Sequence, residues 1–244
     1  KRVYLVGHSN GGFMSMRMAC ERSDLIAGVV NFAGSTWWDA SKCGNPDPVG
    51  VLQVHGTWDT SIVYPGKKPF IGGPTVPEVD NAKCLSESCT DYFTACTENT
   101  ACNTYYNCLV QCSKQPNADA CYQGCWGVAP VEAKLLWMPA FTCGLGNNCY
   151  VGDTSKSAPG YAGAEELVAR WAVRNGCDES TENGKKLDLV GEVPDDETVT
   201  IRHKNCPLGV GAELWRIEYG SHVPGFNNNW AGLLIDWLMQ QSKQ

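Results

Sequence analysis

Histidine is scarce in this chain. There are four in 244 residues, at positions 8, 55, 203 and 222. No two cysteines stand at C-x-x-C spacing, and the cysteine-dense stretch holds no histidine, which disfavours a structural zinc site. No apolar run approaches the roughly 20 residues that a membrane-spanning helix needs. Charged residues make up 18% and lean acidic, with a net charge of −7 and a pI near 5.1. That balance argues against nucleic acid or an anionic membrane surface as partner. Hydrophobic residues reach 43%, ordinary for a globular chain, and the length allows one α/β domain carrying an insert.

Cysteine, by contrast, is abundant. Fourteen cysteines are too many for a reducing compartment and predict disulfides in a secreted or periplasmic protein. Ten fall between Cys84 and Cys149; Cys20, Cys43, Cys177 and Cys206 lie outside. Both counts are even, so complete pairing within each set is expected, with Cys20–Cys43 and Cys177–Cys206 as the outer pairs. Inside the dense stretch, two C-x3-C units, 108/112 and 121/125, flank Gln115-Pro116-Asn117. Cysteines at i and i+4 share a helix face, so two antiparallel helices could bridge 108–125 and 112–121.

The most informative local pattern is at the start. An apolar strand candidate, residues 1–6, runs into Gly7-His8-Ser9-Asn10-Gly11 and then into the helix-like segment 13–20. Strand, tight turn and helix around G-x-S-x-G form a nucleophile elbow, which lifts the serine above the sheet. Glycines flank the turn because a Cβ there would clash with the neighbouring strand and helix. Ser9 is the candidate nucleophile. The backbone N–H of Asn10, at the positive end of the helix, is the candidate oxyanion donor.

Such a serine needs a histidine base and an acid. His8 sits inside the elbow. His55 closes the strand candidate 51–56, where it is expected to pack under the following loop, and His203 lies in a polar stretch. His222 remains, in a Gly- and Pro-bounded loop after the strand candidate 212–219, a placement suited to a general base. The acid is Asp59, three residues past the 51–56 strand; Asp153 and Asp39 are loop alternatives. Ligands and chemistry collect at the carboxyl ends of strands in open α/β sheets, where all three side chains would lie.

These residues resemble a known group. Residues 7–15, 51–59, 169–177 and 213–222 are similar to the polyhydroxybutyrate depolymerase and feruloyl esterase branch of the α/β-hydrolases. The resemblance covers residues 1 to about 78 and about 158 to the end. It implies an α/β-hydrolase core, mostly parallel sheet with flanking helices, at 1–78 and 158–244, split by a cysteine-rich insert at 79–157. By position it implies Ser9 as nucleophile, Asp59 as acid and His222 as base, with no metal or organic cofactor. Val223 stands where the better-known depolymerases tend to carry an aromatic. Trp37 and Trp38, after the strand candidate 25–33, Trp58 beside Asp59, and Val223 are candidate substrate contacts.

The expected activity is that of a secreted serine carboxylesterase acting on a polyester, a feruloyl-type aryl ester or an acetylated polysaccharide. The alternative is a polymer-binding protein on an inherited, idle scaffold. The insert's aromatics, among them Tyr105, Tyr106, Trp137 and Phe141, serve either as a lid or substrate wall or as the insert's own small core. Residues 185–197 are expected to form a polar surface loop, and 199–201 a short strand. The family that the chain resembles places several strands and the loop carrying a second oxyanion donor before the elbow, so the resemblance implies a preceding segment on the order of 100 residues, in the same protein or as a separate chain.

Overall fold

The structure, a computed structural model, describes residues 2–73, 79–152, 154 and 156–243. Asp153 lies outside the described residues. The chain divides into two compact units, Lys1–Phe70 with Ala158–Gln244, and Ile71–Ser157.

The first unit is a mixed α/β structure. Among the described residues its strands are β1 (Tyr4–His8), β2 (Gly28–Phe32), β3 (Gly50–Gly56), β4 (Thr181–Asn183), β5 (Thr198–His203) and β6 (Ala212–Ile217). They form one sheet in the order β1-β2-β3-β6-β5-β4. The β1–β2, β2–β3 and β3–β6 pairings are parallel, and the β6–β5 and β5–β4 pairings antiparallel. Every residue of β2 and β3 is buried, as parallel strands covered on both faces require.

Helices α1 (Asn10–Glu21), α7 (Ala164–Asn175) and α8 (Trp230–Met239) supply that cover, the helices numbered between them lying in the second unit. Met16 of α1 and Leu167 and Trp171 of α7 pack in one cluster with Val29 and Val51. Trp237 and Leu238 of α8 pack in another with Val30, Leu52 and Val54. Alternation along β3 therefore sends Val51, Gln53 and His55 to the α1/α7 face and Leu52 and Val54 to the α8 face. Disulfides Cys20–Cys43 and Cys177–Cys206 add the expected outer crosslinks.

Several boundaries differ from the sequence expectation. β2 begins at Gly28 rather than at 25, because the N–H groups of Leu25 and Ile26 turn back to the Arg22 carbonyl at the end of α1. β6 stops at Ile217, where the Gly220 N–H closes a turn on the Ile217 carbonyl and Tyr219 takes a φ of 61°. Segment 185–197 is not simply a surface loop: Leu189, Val190 and Glu197 are buried, and Leu187 bridges Thr198. At the other boundary of the unit, Phe70 and Ala158 exchange backbone hydrogen bonds of 2.9 Å in both directions.

The second unit is helical: α2 (Asn81–Ser88), α3 (Thr90–Glu98), α4 (Thr100–Cys112), α5 (Ala118–Val128) and α6 (Val131–Gly146). Asp80 and Asn99 cap α2 and α4, their side chains accepting from the N–H groups of Lys83 and Cys102. Five disulfides lace the helices: Cys84–Cys149, Cys89–Cys143, Cys96–Cys102, Cys108–Cys125 and Cys112–Cys121. The α4–α5 pairs match the expected ladder, and no disulfide joins this set to the outer four cysteines. The sulfurs of Cys108, Cys112 and Cys125 lie close together but are all committed to these bonds. Trp137 stacks on Phe141 and contacts Tyr105 and Tyr106, with Trp137 and Tyr105 buried. Trp137 and Tyr105 share the unit's buried interior with Leu85, Met138 and cystine sulfurs such as those of Cys96, Cys102 and Cys112, whereas Tyr106 and Phe141 are half-buried. Burial pushes the Tyr105 hydroxyl up to about 12.

Candidate active site

Ser9 occupies the turn between β1 and α1 with φ 54° and ψ −120°, a strained conformation for a residue with a Cβ. Its N–H donates to the Phe32 carbonyl at 2.8 Å, tying the turn to β2. A Cβ on Gly7 would run into the Gly11 carbonyl and the Ser15 hydroxyl. Gly11 itself faces open space, contrary to the clash expected there. The second tight position is Gly12, against the Asn31 side chain. Asn10 is the first residue of α1, where a backbone N–H has no acceptor within the helix.

The structure brings Ser9, His222 and Asp59 together. His222 Nε2 lies 3.0 Å from Ser9 Oγ, and His222 Nδ1 lies 2.7 Å from Asp59 Oδ2. β1, β3 and β6 are parallel, so the loops after them emerge on one side of the sheet. The loops bearing the acid and the histidine are also sewn together. Trp58 N–H donates to the Gly220 carbonyl, Tyr219 N–H donates to Thr57 Oγ1, and a Cβ on Gly56 would strike the Gly220 carbonyl.

Asp59 is fully buried. Burial alone would raise its pKa, but hydrogen bonds from His55, His222 and the Ile62 N–H outweigh it and hold the carboxyl below the usual range. Its Oδ1 accepts from the N–H groups of Ser61 and Ile62 at 2.8 and 2.9 Å. Asp39, the described alternative, accepts instead from Ser41 at the start of a short 3₁₀ turn, Ala40–Cys43.

Sequence reasoning missed the work of two other histidines. His55 Nε2 lies 3.1 Å from Asp59 Oδ2 and 2.7 Å from the Ile62 carbonyl. His8 Nε2 lies 2.9 Å from the His222 carbonyl, with the two rings 4.9 Å apart. The readable signal for His55 was its place on the strand that delivers the acid. His203 stands apart, half-buried and bonded to the Asp178 carbonyl.

Chain neighbours of Ser9 line two cavities. A cleft of about 610 Å³ is lined by Asn10, Phe13, Trp37, Lys67 and Tyr161 among others. A smaller pocket of about 160 Å³ is lined by His8, Phe32, Val223, Phe226 and Trp230. Trp37 and Val223 thus border the cavities. Trp38 is half-exposed, its carbonyl accepting from Arg170, and Trp58 packs edge-on against Tyr219 at 5.2 Å.

No family model matches the chain. It is 31% identical over 94 residues to NocK of Nocardia uniformis subsp. tsuyamanensis, a protein carrying an esterase name. It is 35% identical over 69 residues to feruloyl esterase B of Piromyces equi. The matches cover 36% and 27% of this chain, and only 27% and 13% of those relatives.

Proposed function

We propose that this chain is a secreted serine carboxylesterase with an α/β-hydrolase core, of the polyhydroxybutyrate depolymerase and feruloyl esterase-like branch. The Ser9–His222–Asp59 hydrogen-bonded chain carries the reading. His222 Nε2 takes the Ser9 proton as Oγ bonds to the ester carbonyl carbon. The Asn10 N–H stabilises the oxyanion, and His222 returns the proton to the departing alcohol. Water then attacks the acyl-enzyme by the same route, releasing the acid and free Ser9. Asp59 accepts from Nδ1–H, so Nε2 is the nitrogen left free to act as base. The cavities lined by Asn10 and by His8 suit the acyl and alcohol portions of an ester, with Trp37 and Val223 as contacts. Seven disulfides fit an oxidising compartment.

Hydrolysis of p-nitrophenyl acetate tests the reading. Ser9→Ala is expected to lower kcat by about 10⁶-fold with unfolding unchanged. No turnover by the native protein leaves a polymer-binding role instead, and equal turnover by the variant removes Ser9 as the nucleophile. Among active outcomes, a release panel of polyester, feruloyl ester and acetylated xylan names the substrate.

A further inference from the structure

We propose that His55, held by Gln53, is a positioning residue for the acid, so that the working unit is Gln53–His55–Asp59–His222–Ser9. The inference rests on the esterase reading above.

The chain of contacts fixes the state of each member. Gln53 Nε2 lies 3.1 Å from the Gly34 carbonyl. A carbonyl only accepts, so the amide nitrogen, not its oxygen, faces Gly34. The same nitrogen lies 2.9 Å from His55 Nδ1 and donates its second proton there. His55 Nδ1 is therefore an acceptor, and the ring's proton sits on Nε2. The Ile62 carbonyl, 2.7 Å from Nε2, demands the same tautomer. The assignment follows from two independent acceptors rather than from a seen hydrogen.

That single Nε2–H is shared between the Ile62 carbonyl and Asp59 Oδ2. It thus ties the carboxylate to its own loop, whose Ser61 and Ile62 N–H groups hold Oδ1. Asp59 Oδ2 is left with two donors, His55 and His222, and its direction toward His222 Nδ1 is set from the far side. Gln53, His55 and Asp59 are all buried, so water offers no substitute donor. A purely structural histidine at the end of β3 could satisfy itself on the Ile62 carbonyl alone; the Gln53 amide behind it would then be unnecessary. A carboxylate freed of this support can rotate, and small misplacements in such a chain cost up to about 100-fold in rate.

The experiment compares His55→Phe, which fills the space without a donor, with His55→Gln, whose amide nitrogen can reach the Nε2 position. Both are checked for cooperative thermal unfolding, then assayed for p-nitrophenyl acetate hydrolysis and for the rate of Ser9 labelling by a fluorophosphonate. His55→Phe is expected to lower kcat and the labelling rate by about 10–100-fold, with KM within about twofold, and His55→Gln to recover most of the loss. Unchanged kcat in folded His55→Phe, or equal loss in both variants, overturns the proposal. If His55→Phe does not fold, Gln53→Leu decides: a fall in kcat without a change in KM supports it, and native kcat overturns it. Ser9→Ala separates the two claims, since retained turnover there defeats the esterase reading, whereas an inactive Ser9→Ala beside a silent His55→Phe defeats only the positioning role.

Discussion

β2 and β3 of the α/β unit bury all of their 5 and 7 residues. Helix α4 of the other unit, 13 residues long, buries three, Cys102, Tyr105 and Cys112. The first unit holds itself together by layers: helices on both faces of a sheet, with Trp171, Leu167, Leu52 and Ile217 fully enclosed. The second has helices without a sheet to cover, and five covalent crosslinks stand where a larger core would otherwise be needed. Burial and crosslinking are two routes to the same end. One acts mainly on the folded state, the other chiefly by restricting the unfolded chain.

The sharpest way to break the comparison is full reduction. At about 2–4 kcal/mol each, five crosslinks rival the whole stability of about 5–15 kcal/mol of an ordinary domain. The amides of 81–146 are expected to lose hydrogen-exchange protection under reductant, while β2 and β3 keep theirs. Equal loss in both units would erase the distinction. A smaller effect comes from removing one short crosslink. Cys96–Cys102 spans only 6 positions, so its replacement by serines should cost about 2 kcal/mol, against about 4 kcal/mol for Cys84–Cys149, which spans 65. Denaturant unfolding of the two double variants gives the order directly, and a reversed order would mean that the entropic account fails here.

The mildest expected effect belongs to the α/β unit and depends on pH. Asp59 holds its proton less tightly when folded than unfolded. Its stabilising contribution is therefore complete above the ordinary aspartate value of about 3.9, and is lost as pH falls through the lower folded value. The melting temperature of Asp59→Asn should accordingly fall less steeply with acidification than that of the native protein. Parallel slopes would show that the carboxylate contributes nothing of the kind.

Legibility in the sequence also divides along this line. Ser9, Asp59 and His222 could be read because each follows a strand with a local signature, and the structure joins them in one hydrogen-bonded chain. The α4–α5 crosslinks could be read because i, i+4 cysteines mark one helix face. Cys84–Cys149, Cys89–Cys143 and Cys96–Cys102 could not, since they depend on how separate elements meet. Gln53 and His55 were hidden for a related reason. In an apolar strand His55 reads as packing and Gln53 carries no signal of its own, and only the fold of the 57–62 loop turns a donor toward the carboxylate. For Trp137 and Tyr105 the sequence left a substrate wall and a small core as alternatives, and the structure buries both residues.

The paired hydrogen bonds between Phe70 and Ala158 have a consequence for protein engineering. The chain leaves the α/β unit and re-enters it through residues that already face each other as in a hairpin. A splice at this point has its ends prealigned, and a two-residue turn such as Asn-Gly has the geometry to close them. The cysteine-rich segment is thus a natural cassette: what stands between 70 and 158 can be shortened, exchanged or grafted elsewhere while the strand ends that carry Ser9, Asp59 and His222 keep their own chain connections.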